Sequence, residues 1–139
     1  MNARDLAKMI DHTLLKPNAT VGEVDRLCDE ALGYGFYSVC VNPSRVARCT
    51  SRLSGSGVKV CSVVGFPFGA TSTGSKEVEA KAAAEEGADE LDMVMNVGKL
   101  LDADLGYVEK DIRAVVSAAD GRVVKVILEV CYLDDAAII

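Results

Sequence analysis

Apolar positions recur along the chain in two alternating rhythms. Short aliphatic runs in which every second position changes character give way to longer stretches with apolar residues three and four apart, which predicts strands alternating with helices. Residues 1–9 have helical spacing and predict a leading helix, and residues 10–15 predict a first strand ended by Lys16, Pro17 and Asn18. Thr20 followed by Glu23 predicts a capping box, opening a helix with Val24, Leu27, Cys28, Ala31 and Leu32 on one stripe and Gly33 and Gly35 at its end. A second strand is predicted over 37–41, a helix over 44–53, a third strand over 58–65, and a helix over 75–86 closed by Gly87. A fourth strand is predicted in the stretch 87–96, and within 97–119 lies a helix with Leu105, Val108, Ile112, Val115 and Val116 on its apolar side. The fifth strand is predicted over 123–129, and residues 133–139 begin another helix.

Short loops, strict alternation and β-branched strands are the pattern of right-handed βαβ units on a parallel sheet. An open doubly wound sheet and a (β/α)8 barrel both meet that description. The polar positions separate them. Asp11 with Thr13, Ser38 with Cys40, Asp92 with Asn96, and Lys125 with Glu129 each share one parity of their strand, opposite the aliphatic positions that helices cover. An open sheet buries both faces under helices, whereas a barrel keeps one face for an interior whose upper layer carries the chemistry. The expected fold is therefore α/β, of the (β/α)8 TIM-barrel type, with a leading helix and about five strands. Residues 1–139 are expected to form a single domain, an incomplete barrel.

Composition narrows the function. Half of the residues are hydrophobic and 26% are charged, which suits a folded globular domain. A net charge of -6 argues against a general nucleic-acid or anionic-membrane surface, though it leaves room for a local phosphate site. Five cysteines, an odd number with no C-x-x-C pair, and one distant histidine spell neither a disulfide framework nor a zinc motif. With no charged leader followed by an apolar core and no apolar run near eighteen residues, a reducing cytoplasm is the expected location.

Candidate chemistry sits in the strands. Asp92 and Lys125 are charges in otherwise aliphatic runs, and burying either alone costs several kcal/mol, roughly, so each needs a partner or a wet cavity. For Lys125 the plainer alternative is a salt bridge at a strand end. Gly69 to Lys76 approaches a phosphate-binding P-loop, but serine precedes the lysine where the motif needs the reverse; a glycine-rich loop with free amides is the better account. Cys40 reads as a small buried hydrophobe, since no histidine stands near it to activate the thiol, and His12 shares the parity of Ile10 and Leu14, on the core side.

Five blocks in this order carry a family resemblance: Asp11-His12-Thr13, Ser38 to Pro43, Val64 to Gly69, Gly87 to Val94 and Val124 to Glu129. Together they resemble the deoxyribose-phosphate aldolases, from end to end of the chain. The resemblance implies a class I aldolase that interconverts 2-deoxyribose 5-phosphate with glyceraldehyde 3-phosphate and acetaldehyde through a lysine Schiff base, with no metal or other cofactor. It implies Asp92 as the acid of proton transfer, Lys125 as the lysine beside it, and Asp11, Cys40 and Glu129 as residues of the substrate pocket. In the family the imine-forming lysine begins a Lys-Thr-Ser-Thr-Gly stretch on the sixth strand, beyond Ile139. Thr71-Ser72-Thr73-Gly74 imitates that stretch without its lysine, and Val130 stands where the family has threonine. The chain alone is thus expected to be inactive, and a catalytically dead half-barrel serving as a binding or self-assembling module is the alternative. Exposed strand edges are expected to make it a homo-oligomer; sugar phosphate and acetaldehyde are the expected small-molecule partners, with no nucleic acid and no membrane.

Overall fold

A computed structural model describes residues 2–138. Five parallel strands form one sheet in the order of the sequence: β1 (Asp11–Leu14), β2 (Ser38–Val41), β3 (Lys59–Val64), β4 (Glu90–Val94) and β5 (Val123–Ile127). Between them run α2 (Val21–Tyr34), α3 (Val46–Leu53), α4 (Thr73–Glu85), α5 (Val97–Leu101) and α6 (Leu105–Ala118), after a leading α1 (Ala3–Ala7) and before a closing α7 (Asp135–Ile138). The predicted helix ends at Met1 and Ile139 lie outside the described residues. Three boundaries differ from the pattern reading. A 3-10 turn at Pro43–Arg45 precedes α3, because proline sets the first turn; the segment 97–119 breaks into two helices at Ala103, whose φ is +58°, with Asp104 capping the second. The fourth strand stops at Val94, and Asn96 leaves the sheet to cap α5 by accepting from Lys99 N at 3.2 Å.

The Thr20 capping box forms in full: Glu23 N donates to Thr20 Oγ1 at 3.3 Å and Thr20 N to Glu23 Oε2 at 2.7 Å. Helix stripes are narrower than predicted. Val24, Leu27, Cys28 and Ala31 are buried but Leu32 is exposed, and on α6 Val108 and Val115 are buried while Leu105 and Val116 are exposed.

Two apolar layers lie on opposite faces of the sheet. The larger, with Val39, Val41, Val60, Val64, Leu91 and Met93 from the strands, packs against Val24, Leu27, Ala31, Val46, Cys49, Ala80, Ala83 and Val115 from the helices. The smaller gathers Cys40, Cys61 and Val63, with Leu15 against them, on the face no helix covers. The sheet is curled toward that second face. Across a flat sheet, four steps of about 4.8 Å hold the first and fifth strands about 19 Å apart with side chains projecting in parallel, yet Lys125 of β5 reaches Asp11 of β1 at 2.8 Å. Side chains meet across that distance only where the sheet wraps around them, as in a barrel.

Candidate active site

Lys125 is the centre of the inner face. Its ammonium donates to Asp11 Oδ2 at 2.8 Å and forms ion pairs with Asp92 Oδ1 at 3.1 Å and Glu90 Oε2 at 3.3 Å. Asp92 and Lys125 are register neighbours on β4 and β5, so the pleat alone aims both side chains to one face. Asp11 is steadied from its other side by Ser38 Oγ, which donates to Oδ1 at 2.6 Å. Glu90 is buried, accepts from Tyr37 OH, and pairs with Lys59 at 3.2 Å. Three carboxylates thus face two ammonium groups in one continuous network.

The electrostatics follow from this geometry. Burial by itself lowers the Lys125 pKa, but the hydrogen bond to Asp11 and the hydrogen bond and charge of Asp92 outweigh it and raise the value above the usual lysine range. Asp11 and Glu90 go the other way. Burial raises each, and the hydrogen bonds from Lys125 and Ser38 to Asp11, and from Tyr37, Lys59 and Lys125 to Glu90, bring both below ordinary carboxylate values. Lys125 is accordingly a fixed cation at neutral pH. An amine held so firmly protonated is a poor nucleophile toward a carbonyl.

Cys40 Sγ lies 3.8 Å from Asp92 Oδ2, so Cys40 joins the cluster as a thiol beside the acid. Glu129 does not join it. The strand ends at Ile127, and Glu129, at φ +53°, starts a 3-10 turn and accepts from Cys131 Sγ at 3.2 Å. Its predicted inward parity is lost once the chain leaves the extended conformation. His12 faces outward, pairs with Glu30 at 2.7 Å and stacks on Phe36 at 4.8 Å. Glu90, Lys59 and Tyr37 are site residues that the sequence reading missed. Glu90 shares the parity of Asp92 and could have been found that way; nothing in the pattern marks Tyr37.

The loop after β3 is built by the residues that imitate a P-loop. Lys76, fully buried, points into the protein and donates to Val94 O at 2.9 Å and to Asp111, itself held by Thr73 Oγ1 at 2.8 Å. Gly65 N donates to Glu79 Oε2 at 2.7 Å. Gly69, at φ +65°, packs so tightly on the end of β4 that a Cβ there would stand 2.1 Å from Met95 O. The loop therefore buttresses the strand that carries Glu90 and Asp92.

Sequential parallel strands curled around an interior of one lysine and three carboxylates place the chain among α/β proteins of the TIM-barrel type with polar chemistry inside the barrel. Residues 6–139 match the model of the DeoC/LacD family aldolases, and the chain belongs to that family. Deoxyribose-phosphate aldolase of Aciduliprofundum boonei is 57% identical over 137 residues, which are 97% of this chain and 62% of the relative. That of Clostridium perfringens is 54% identical over 136 residues, 97% of this chain and 61% of the relative. Among solved structures, the tetrameric deoxyribose phosphate aldolase of Aeropyrum pernix superimposes with a TM-score of 0.88 at 39% identity, over 98% of this chain and 57% of that one. The aldolase QR15 does so with a TM-score of 0.91 at 35% identity, over 96% and 60%. The chain thus spans about three fifths of the length of the curated relatives it matches. No helix among the described residues is long and apolar enough to cross a membrane.

Proposed function

We propose that this chain supplies the proton-transfer half of a class I aldolase site acting on 2-deoxyribose 5-phosphate, and that residues 1–139 form one unit, five βα units of the barrel. The observation that carries the reading is Lys125, held within 3.3 Å of three carboxylates from two strands, Asp11 on β1 and Glu90 and Asp92 on β4. In this reading the imine-forming amine comes from the sixth strand of the barrel, outside residues 1–139. Lys125, kept charged, lowers the proton affinity of that amine by repulsion so that it attacks the aldehyde carbon of the substrate. Loss of water gives the imine; the carbon–carbon bond then breaks as glyceraldehyde 3-phosphate leaves, and the electron pair moves into an enamine. Asp92 is the acid and base that passes protons to and from the hydroxyls and the enamine carbon. Asp11 and Glu90 orient Lys125, and Cys40 lines the pocket beside Asp92. Glu129 belongs to the pocket rim in this proposal, since it follows the end of β5. Sugar phosphate and acetaldehyde are the partners, no cofactor is called for, and the fully reduced cysteines suit the cytoplasm. A homo-oligomer is proposed, as tetramers occur in the Aeropyrum pernix relative.

The test uses the full-length protein that carries this chain. Borohydride with deoxyribose 5-phosphate is expected to trap one adduct on a lysine other than Lys125, located by peptide mass spectrometry. Asp92→Asn is expected to lower turnover by about 10²-fold or more while preserving the fold. An adduct on Lys125, or full activity in Asp92→Asn, overturns the assignment.

A further inference from the structure

Cys40 and Cys61 are register neighbours on β2 and β3, and with Asp92 they place two sulfurs and a carboxylate oxygen within 4.8 Å of one another. Both thiols are buried and reduced, in the small inner layer beside the Lys125 cluster. We propose that Cys40, Cys61 and Asp92 form a binding site for a soft divalent metal ion, of the chemistry of zinc or cadmium.

The geometry suits such an ion. Zinc–sulfur bonds of about 2.3 Å put two tetrahedral sulfurs about 3.8 Å apart, so donors already within 4.8 Å draw in by about 1 Å. Asp92 offers its two oxygens in different directions: Oδ2 lies toward Cys40 at 3.8 Å, while Oδ1 lies toward Lys125. Oδ1 is held by the Lys125 ion pair at 3.1 Å, which leaves Oδ2, whose contact is the Cys40 thiol at 3.8 Å, as the oxygen facing the two sulfurs. Binding exchanges one divalent cation for two thiol protons, which leaves the net charge of the cluster unchanged and the Lys125 ion pair intact. Two thiolates and one carboxylate select soft over hard cations. Three protein donors leave a fourth position open, as in zinc sites that hold a water or small ligand. The other touching thiol pair, Cys28 and Cys49, lacks this third donor, because neighbouring Asp25 has both its oxygens engaged by Nε and Nη2 of Arg48.

A loaded site occupies Asp92 and so excludes proton transfer through it. That consequence rests on the aldolase reading; the binding itself does not.

Titration of the reduced, metal-free, full-length protein with Co²⁺ under anaerobic conditions tests the binding directly. The expected result is thiolate-to-cobalt charge-transfer absorption that saturates at one equivalent and is displaced by Cd²⁺. It is expected to persist in Cys28→Ser/Cys49→Ser and in Cys131→Ser, and to vanish in Cys40→Ser/Cys61→Ser. Asp92→Asn, which leaves both thiols in place, is expected to weaken cobalt binding by at least about tenfold, the loss typical even of a group one shell removed from a metal. Absence of charge-transfer absorption in the unsubstituted protein overturns the proposal, as does the same absorption in Cys40→Ser/Cys61→Ser or unchanged affinity in Asp92→Asn. Loss of aldolase turnover on loading, in a protein active without metal, would connect the site to the reaction. Cobalt binding with turnover unaffected would leave the site standing and remove Asp92 from the mechanism.

Discussion

Lys125 and its three carboxylates determine how the inner face responds to pH. Asp11 and Glu90 have lowered values in the fold, so their contribution to stability is complete above the ordinary 3.8 and 4.5 and is lost as pH falls through the folded values. Lys125 is raised, so its contribution is complete below 10.5 and is lost only as pH rises through its folded value. Between about pH 5 and 10 the cluster therefore contributes a constant amount. Lys125→Met is expected to lower the urea midpoint at pH 7, with a gap between the two proteins that is narrower at acid pH, where Asp11 and Glu90 lose their charge on passing their lowered folded values. Equal gaps at the two pH values would show that the lysine stem, and not its charge, matters. At this scale much of the site was legible. Strand parity placed Asp11, Cys40, Asp92 and Lys125 on one face because a period of two is geometric and survives any detail of packing. It failed at Glu129 and Asn96 because parity means nothing past the last extended residue, and it passed over Glu90 because the alternation was counted only from Leu91, where the aliphatic run begins.

The elements around the third loop are joined by the buried pair Lys76–Asp111, which ties α4 to α6 and to the end of β4. Removing one partner of such a pair strands a charge. Asp111→Ala is expected to destabilise the protein by about 3–5 kcal/mol in urea unfolding, whereas Lys76→Met/Asp111→Leu, which removes both charges, is expected to recover most of that loss. A double variant as weak as the single one would mean that the Val94 carbonyl, left without its donor, dominates. Gly69→Ala is expected to lose stability as well, since a left-handed φ and a Cβ 2.1 Å from Met95 O cannot both be kept. None of this was visible in the helix pattern. Lys76 and Asp111 look like ordinary surface charges on amphipathic helices, and only the tertiary fold buries them.

The whole molecule presents one unpaired edge at β1 and another at β5, where Val123 is half-exposed and Leu128, Val130 and Tyr132 follow in the next turn. Residues 1–139 produced alone are expected to self-associate at micromolar concentration through these edges; a clean monomer in sedimentation would rule that out. The order of strands and the choice of barrel over open sheet were both legible, because the polar pairs of the first, second, fourth and fifth strands each keep to one parity, opposite the aliphatic positions. The degree of curl was not, for it is set by strand twist and packing summed over the sheet. That curl brings Asp11 and Lys125 together across 114 residues of sequence, against 27 for Asp11 and Ser38. Closing the longer loop costs about 1.3 kcal/mol more chain entropy, and the contact exists only once every intervening strand has docked. It is therefore expected to be a late event in folding. Lys125→Met should therefore hasten unfolding while leaving the folding rate nearly unchanged in stopped-flow kinetics, so that the residues which make the site are also the last to commit the chain to its native state.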